Sequence, residues 1–149
     1  MDTIWVVVAD QSRARLFSME GRWSALEEVD NIVHPEGRLH DQDINADRPG
    51  RSFDTMGEGR HGMSKQHSPK ETAATRFATE ISRRVTSAHH EGAFTQLVLI
   101  APPRFLAQLR EHLPPTVARS VILAENKNLT QENSRAIREH IGSAWGRSR

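Results

Sequence analysis

Ile4-Trp5-Val6-Val7-Val8-Ala9 is the stretch whose reading decides the fold. It is continuously apolar and rich in β-branched side chains. A strand wet on one face alternates apolar with polar residues, whereas a strand covered on both faces does not alternate. The stretch therefore predicts a central strand in a sheet with helices packed on both sides.

Working outward, Asp10-Gln11-Ser12 is a polar break of hairpin length, and Ala14 to Met19 reads as a second strand, antiparallel to the first. Gly21 turns the chain, and Trp23 to Val33, with Leu26, Val29 and Ile32, forms a third extended segment. Gln96 to Ala101 and Val121 to Ala124 repeat the buried-strand pattern. Between and after them lie helical patterns. Ser68-Pro69-Lys70-Glu71 spells a capping box with proline at the first helical position. Ala74, Phe77, Ala78, Ile81, Val85 and Ala88 then share one helical face, up to a stop at Gly92. Pro102-Pro103 opens a helix with Phe105, Leu106, Leu109 and Leu113 inward, which Pro114-Pro115 terminates. Thr130 is placed to cap a last helix with Ile137, Ile141 and Trp145 inward, followed by a frayed tail from Gly146 to Arg149.

The order β-β-β-loop-α-β-α-β-α predicts an α/β domain over residues 1–149. Its mixed sheet joins an antiparallel N-terminal meander to a parallel β-α-β half, covered by helices. The 149 residues are 36% hydrophobic and 26% charged, with formal net charge +1. That balance provides no global field for a polyanion, so any such binding needs a local patch. There is no cysteine, which excludes disulfides, thiolate metal sites and cysteine nucleophiles. The N-terminus lacks a basic region, and the run from Ile4 to Ala9 is far shorter than the roughly 20 residues of a membrane span. A cytoplasmic protein with no membrane partner is expected.

From His34 to His67 no period is visible, and residues 34–70 hold six acidic and six basic side chains. Structureless connections beyond roughly 12–15 residues are uncommon unless functional or disordered. Arg48, Arg51, Arg60 and Lys65, with His61, form a candidate patch for phosphate, since the guanidinium fork pairs with phosphate oxygens. Pairing with Asp47, Asp54 and Glu58 within the loop is the competing reading. Pro49, Gly50, Gly57, Gly59 and Gly62 shape the segment. Gly57 to Gly62 spells G-x-G-x-x-G, but no strand precedes it and no helix opens on it, so no nucleotide or other cofactor is expected. Arg104, just past a strand and at a helix start, is a further anion-binding candidate.

Four separated motifs resemble the bacterial host attachment protein family: Val8 to Phe17, Asp47 to Arg51 with Phe53-Asp54, Gly59-Arg60-His61, and Leu97 to Leu106. That family is similar to the middle domain of archaeal and eukaryotic peptide-chain release factors, which implies a ribonuclease H-like fold. Those domains carry a Gly-Gly-Gln loop before a long helix with a pattern like Arg76-Phe77-Ala78. Here Gln66 is present without the two glycines. The resemblance thus implies a partner such as the ribosome, tRNA or rRNA, without peptidyl-tRNA hydrolysis. Two alternatives stand beside it. A metal-dependent hydrolase or nuclease would use Asp10, with Asp54 and Glu80, or loop ligands from His34, His40, Asp41, Asp43, His61 and His67; Asp10 with Ser12 equally suits an Asx or Ser turn. A protein-interaction module for host-cell attachment or self-association would use Phe53 and Met56.

Overall fold

A computed structural model describes residues 3–22, 24–34 and 69–148 of the chain. The strands are β1 (Thr3–Ala9), β2 (Arg13–Glu20), β3 (Glu27–Val33), β4 (Gln96–Ile100) and β5 (Val121–Glu125). The helices are α1 (Pro69–His90), α2 (Pro103–His112), α3 (Pro115–Ala118) and α4 (Ser134–Ser148). The strands form one mixed sheet in the order β3-β2-β1-β4-β5. β1 pairs antiparallel with β2 and parallel with β4. β2 pairs antiparallel with β3, and β4 parallel with β5. The arrangement is the expected antiparallel meander joined to a parallel half, and it is compatible with a ribonuclease H-like architecture.

The unbroken apolar run of β1 follows from its place at the centre. Val7 and Ala9 join the core beneath α1 and α2, with Phe77, Ala78, Ile81, Phe105 and Leu109. Ile4, Val6 and Val8 join the opposite core beneath α4, with Ile137, Ile141 and Trp145. Successive side chains of a strand point to opposite faces, so burial on both demands apolar residues at every position. β3 and β5 are edge strands. β5 is only half-buried throughout, and β3 leaves Val29 and Val33 exposed.

The long apolar face of α1 is buried as its spacing predicts: Ala74, Phe77, Ala78, Ile81, Val85 and Ala88 all lie in the core. Its end is a Schellman closure. Gly92, at φ 80°, donates its N–H to His89 O, and Ala93 donates to Ala88 O, satisfying carbonyls that the helix leaves open. The Ser68 cap lies outside the described residues.

Four expectations are corrected. The third strand begins at Glu27 rather than Trp23, and skips Val29 in its pairing because a bulge shifts the register between Leu16 and Phe17. Pro114-Pro115 does end α2, but Pro115 also opens the short helix α3, because a proline's missing N–H costs nothing in a first turn. Among the inward residues expected of α2, Leu106 is only partly buried. Finally, Thr130 does not cap the last helix. Asn133 does: its side-chain oxygen accepts from Ala136 N at 2.8 Å, while its backbone oxygen accepts from Ile137 N at 3.1 Å. These are the two bonds that define an N-cap residue.

His34, the described residue before segment 35–68, stands at one edge of the sheet, and α1, which follows the segment, passes the same edge. β3 runs parallel to β1, because each is antiparallel to β2, so His34 emerges at the edge where β1 ends. Its N–H donates to Ser12 O at 2.9 Å. α1 reaches that edge about two turns after its first residue, where Phe77 stacks on the His34 ring at 4.5 Å and on Phe105 at 6.0 Å. It ends at the opposite edge, where Thr95 N donates to Thr3 O.

Candidate functional site

The carboxyl ends of β1, β4 and β5 are brought together by parallel pairing. In open α/β sheets this edge is where crevices form, since each chain must turn away there into a helix or loop. A cleft of about 280 Å³ opens at it, lined by Asp10, Gln11 and Ser12 after β1, Pro102, Arg104 and Phe105 after β4, and Asn128 after β5. α2 begins at Pro103 and has no side-chain cap on its first turn. Arg104 is exposed at that start. The sequence reading of Arg104 as a residue past a strand and at a helix opening matches its position.

Asp10 is half-buried and its carboxylate is fully engaged. Oδ1 accepts from Ser12 N at 2.8 Å and Arg13 N at 3.0 Å, which is the geometry of an Asx turn. Oδ2 accepts from Thr130 Oγ1 at 3.0 Å and Asn128 Nδ2 at 3.3 Å. Two oxygens with about four acceptor directions thus meet four donors. Asp10 shapes the β1–β2 turn and tethers it to the segment after β5.

Asn128 shapes the other side of this tether. Its side-chain oxygen accepts from Thr130 N at 3.1 Å and lies 2.8 Å from the Thr130 hydroxyl. That hydroxyl has one proton to share between Asp10 and Asn128, so it acts as the hinge between them. Thr130 is buried, as a polar group with these partners can be.

Arg15, one strand over, holds the same segment. Its guanidinium donates to both oxygens of Glu28, at 3.2 and 3.1 Å. It also donates to the backbone oxygens of Thr130 at 3.1 Å and Glu132 at 2.6 Å, and lies 5.2 Å above the Phe17 ring. The Arg15 hydrogen bonds hold the Glu28 carboxyl below its usual range against the opposing effect of burial, with the charges of Arg15 and Arg13 and a bond from Asn31 adding to them. Asp10 and Arg15, both within the Val8–Phe17 motif, therefore clamp one loop from two points.

The metal candidates are distributed differently. Asp10 spends its oxygens on the tether. His34 is buried flat against Phe77, and neither ring nitrogen has a hydrogen-bond partner among the described residues. Glu80 is exposed on α1. Among the described residues no group of three or more histidines, aspartates or glutamates is placed to hold a metal ion. His40, Asp41, Asp43, Asp54, His61 and His67 lie outside the described residues, as do Arg48, Arg51, Arg60 and Lys65, the loop-shaping Pro49, Gly50, Gly57, Gly59 and Gly62, and Phe53 and Met56.

Sequence reasoning missed Asn128, Thr130 and Arg15 as parts of this edge. Asn-x-Thr at 128–130 is a local Asx-turn signal. No local signal joins Thr130 to Asp10, because the two are 120 residues apart.

The fold and cleft define a mixed five-stranded α/β protein with a polar crevice at its strand ends. The chain belongs to the family described as proteins required for attachment to host cells, whose model matches residues 5–141. Among the described residues no helix is long and apolar enough to cross a membrane. Comparison with curated proteins returns no match. Among solved structures, an archaeal protein is similar at TM-score 0.46 and 10% identity, over 98% of this chain and 38% of its own. The crystal structure of an archaeal translation termination factor is similar at TM-score 0.41 and 12% identity, over 98% of this chain and 40% of its own. The chain thus spans well under half the length of either.

Proposed function

We propose that the protein is a non-catalytic RNA-binding member of its family, with RNA at the ribosome as the target. Arg48, Arg51, Arg60, His61 and Lys65 would contact phosphates together with Arg104. The observation that carries this reading is placement. The described chain before the loop residues ends at His34, whose ring stacks on Phe77 of α1, the helix that follows them, and Phe77 in turn stacks on Phe105, next to Arg104 at the opening of α2. A scaffold that holds the chain on either side of an arginine-bearing segment beside a further arginine can present one phosphate-binding surface. The hydrolase alternative requires Asp10 to give up four donors that hold two loops together, which argues against it.

The test is a titration with single-stranded RNA across salt concentrations. Each neutralised phosphate contributes a slope of about −0.7 in log K against log salt, so the five cationic contacts predict about −3.5, of which the three loop arginines supply about −2. Arg48→Ala/Arg51→Ala/Arg60→Ala should weaken binding and flatten that slope. No binding at low salt, or the same affinity and slope in the triple variant, refutes the reading.

A further inference from the structure

A second site lies between α1 and α2, away from the strand-end cleft. One stripe of α1 consists of Thr79, Ser82, Arg83, Thr86, Ser87 and His90, at spacings of three and four. Two packed helices ordinarily meet on apolar side chains, and α1 does so along the neighbouring face through Phe77, Ile81 and Val85. This stripe is polar instead, and with His112 and Pro114 it lines a groove of about 420 Å³. That volume is in the range of small-ligand sites, roughly 300–1,000 Å³.

The chemistry of the lining is one-sided. It holds an arginine, two histidines and four hydroxyls, and no carboxylate. Arg83 is exposed and has no ion-pair partner among the described residues, in contrast to its neighbour Arg84, which pairs with Asp30. His112 is oriented by a 2.7 Å contact from Nδ1 to Gln108 O. A carbonyl only accepts, so Nδ1 carries the proton and Nε2 is the nitrogen left for a ligand. Thr79 and Ser82 spend their protons on Thr75 O and His112 O and offer acceptor oxygens. The Thr86 and Ser87 hydroxyls have no partner among the described residues and can donate.

The carbonyl ends of both helices approach the groove, and an exposed helix C-terminus repels anions. Here several of those carbonyls already accept hydrogen bonds. Ser82 Oγ covers His112 O, Leu113 N bonds Arg110 O, and Glu91, Gly92 and Ala93 bond the last carbonyls of α1. We infer that the groove between α1 and α2 binds a small phosphate monoester of a polyol. Arg83 takes the phosphate by its paired donors. The hydroxyl row and His112 Nε2 exchange hydrogen bonds with the polyol, whose hydroxyls both donate and accept.

The experiment is an amide NMR titration of the isotopically labelled protein at neutral pH and constant ionic strength. Ribose 5-phosphate and inorganic phosphate serve as separate probes through the millimolar range. Saturable shifts are expected at residues 79–90, 112 and 113, with ribose 5-phosphate binding more tightly than phosphate. Arg83→Gln should weaken binding by about tenfold while leaving the rest of the spectrum and RNA binding unchanged. Thr86→Val should erode the preference for the sugar phosphate. The inference fails if these residues show no saturable shift, if Arg83→Gln binds as the wild type does, or if the two probes bind equally.

Discussion

Replacing Asp10 by alanine tests the tether directly. The carboxylate accepts four hydrogen bonds, but they are not equal. The Thr130 hydroxyl lies 2.8 Å from Asn128 Oδ1, so it keeps a partner when Asp10 is gone. The Asn128 Nδ2 contact is long, at 3.3 Å, and exposed. The substantial loss is the pair of backbone N–H groups of Ser12 and Arg13, at 2.8 and 3.0 Å in a half-buried turn. Hydrogen bonds to a charged group contribute about 1.5–3 kcal/mol each, less where water can replace the acceptor, so Asp10→Ala should cost about 2–3 kcal/mol. With a urea m-value of about 2 kcal/mol/M, the unfolding midpoint should fall by roughly 1–1.5 M. Asp10→Asn retains the oxygen that faces the two N–H groups. Its amide can donate to Thr130 Oγ1, whose proton then goes to Asn128, so the loss should be about 1 kcal/mol. Two-state urea curves for the three proteins decide the matter. A loss below about 0.5 kcal/mol for Asp10→Ala, or equal losses for both variants, refutes the assignment of Asp10 as a structural tether.

The remaining predictions concern neighbouring features. Glu28 has its folded pKa lowered by Arg15 from an ordinary value of 4.5, so its ion pair stabilises the fold above that value. The contribution is lost as pH falls through the lower folded pKa. Glu28→Gln should therefore cost up to about 1 kcal/mol at neutral pH, the usual size for a partly exposed pair, and nothing once Glu28 is protonated; urea midpoints across the acid range measure this. Asn133→Ala should cost about 1 kcal/mol through loss of the α4 cap, read from thermal unfolding. The same loss should not follow from substitutions at Ser134, which precedes the bonded N–H groups without capping them.

Much of the fold was legible because burial leaves a periodic trace. The run from Ile4 to Ala9 is apolar at every position because helices cover both faces. The spacing from Ala74 to Ala88 marks one helical face because α1 lies along the sheet. These are local consequences of long-range packing, and each can be read within one element. The edges were less legible. Glu27 and Glu28 begin a strand that has a neighbour on only one side, so its pattern is weak, and no local signal announces the skip at Val29. At Thr130, intrinsic preference pointed to a cap; the choice fell to Asn133 because Thr130 is drawn into the core by Asp10.

The sequence by itself determined the element order, the central place of β1, the two-sided burial and the family motifs, since all depend on side-chain periodicity or local spelling. Only the tertiary structure decided what Asp10, Arg15 and Arg104 have around them. Asp10 meets Thr130, and Arg15 meets Glu132, across separations of 120 and 117 residues. These meetings exist because β1, β4 and β5 run parallel and release their chains at one edge. A hydrogen bond between residues so far apart depends on strand order and direction, which no local pattern encodes.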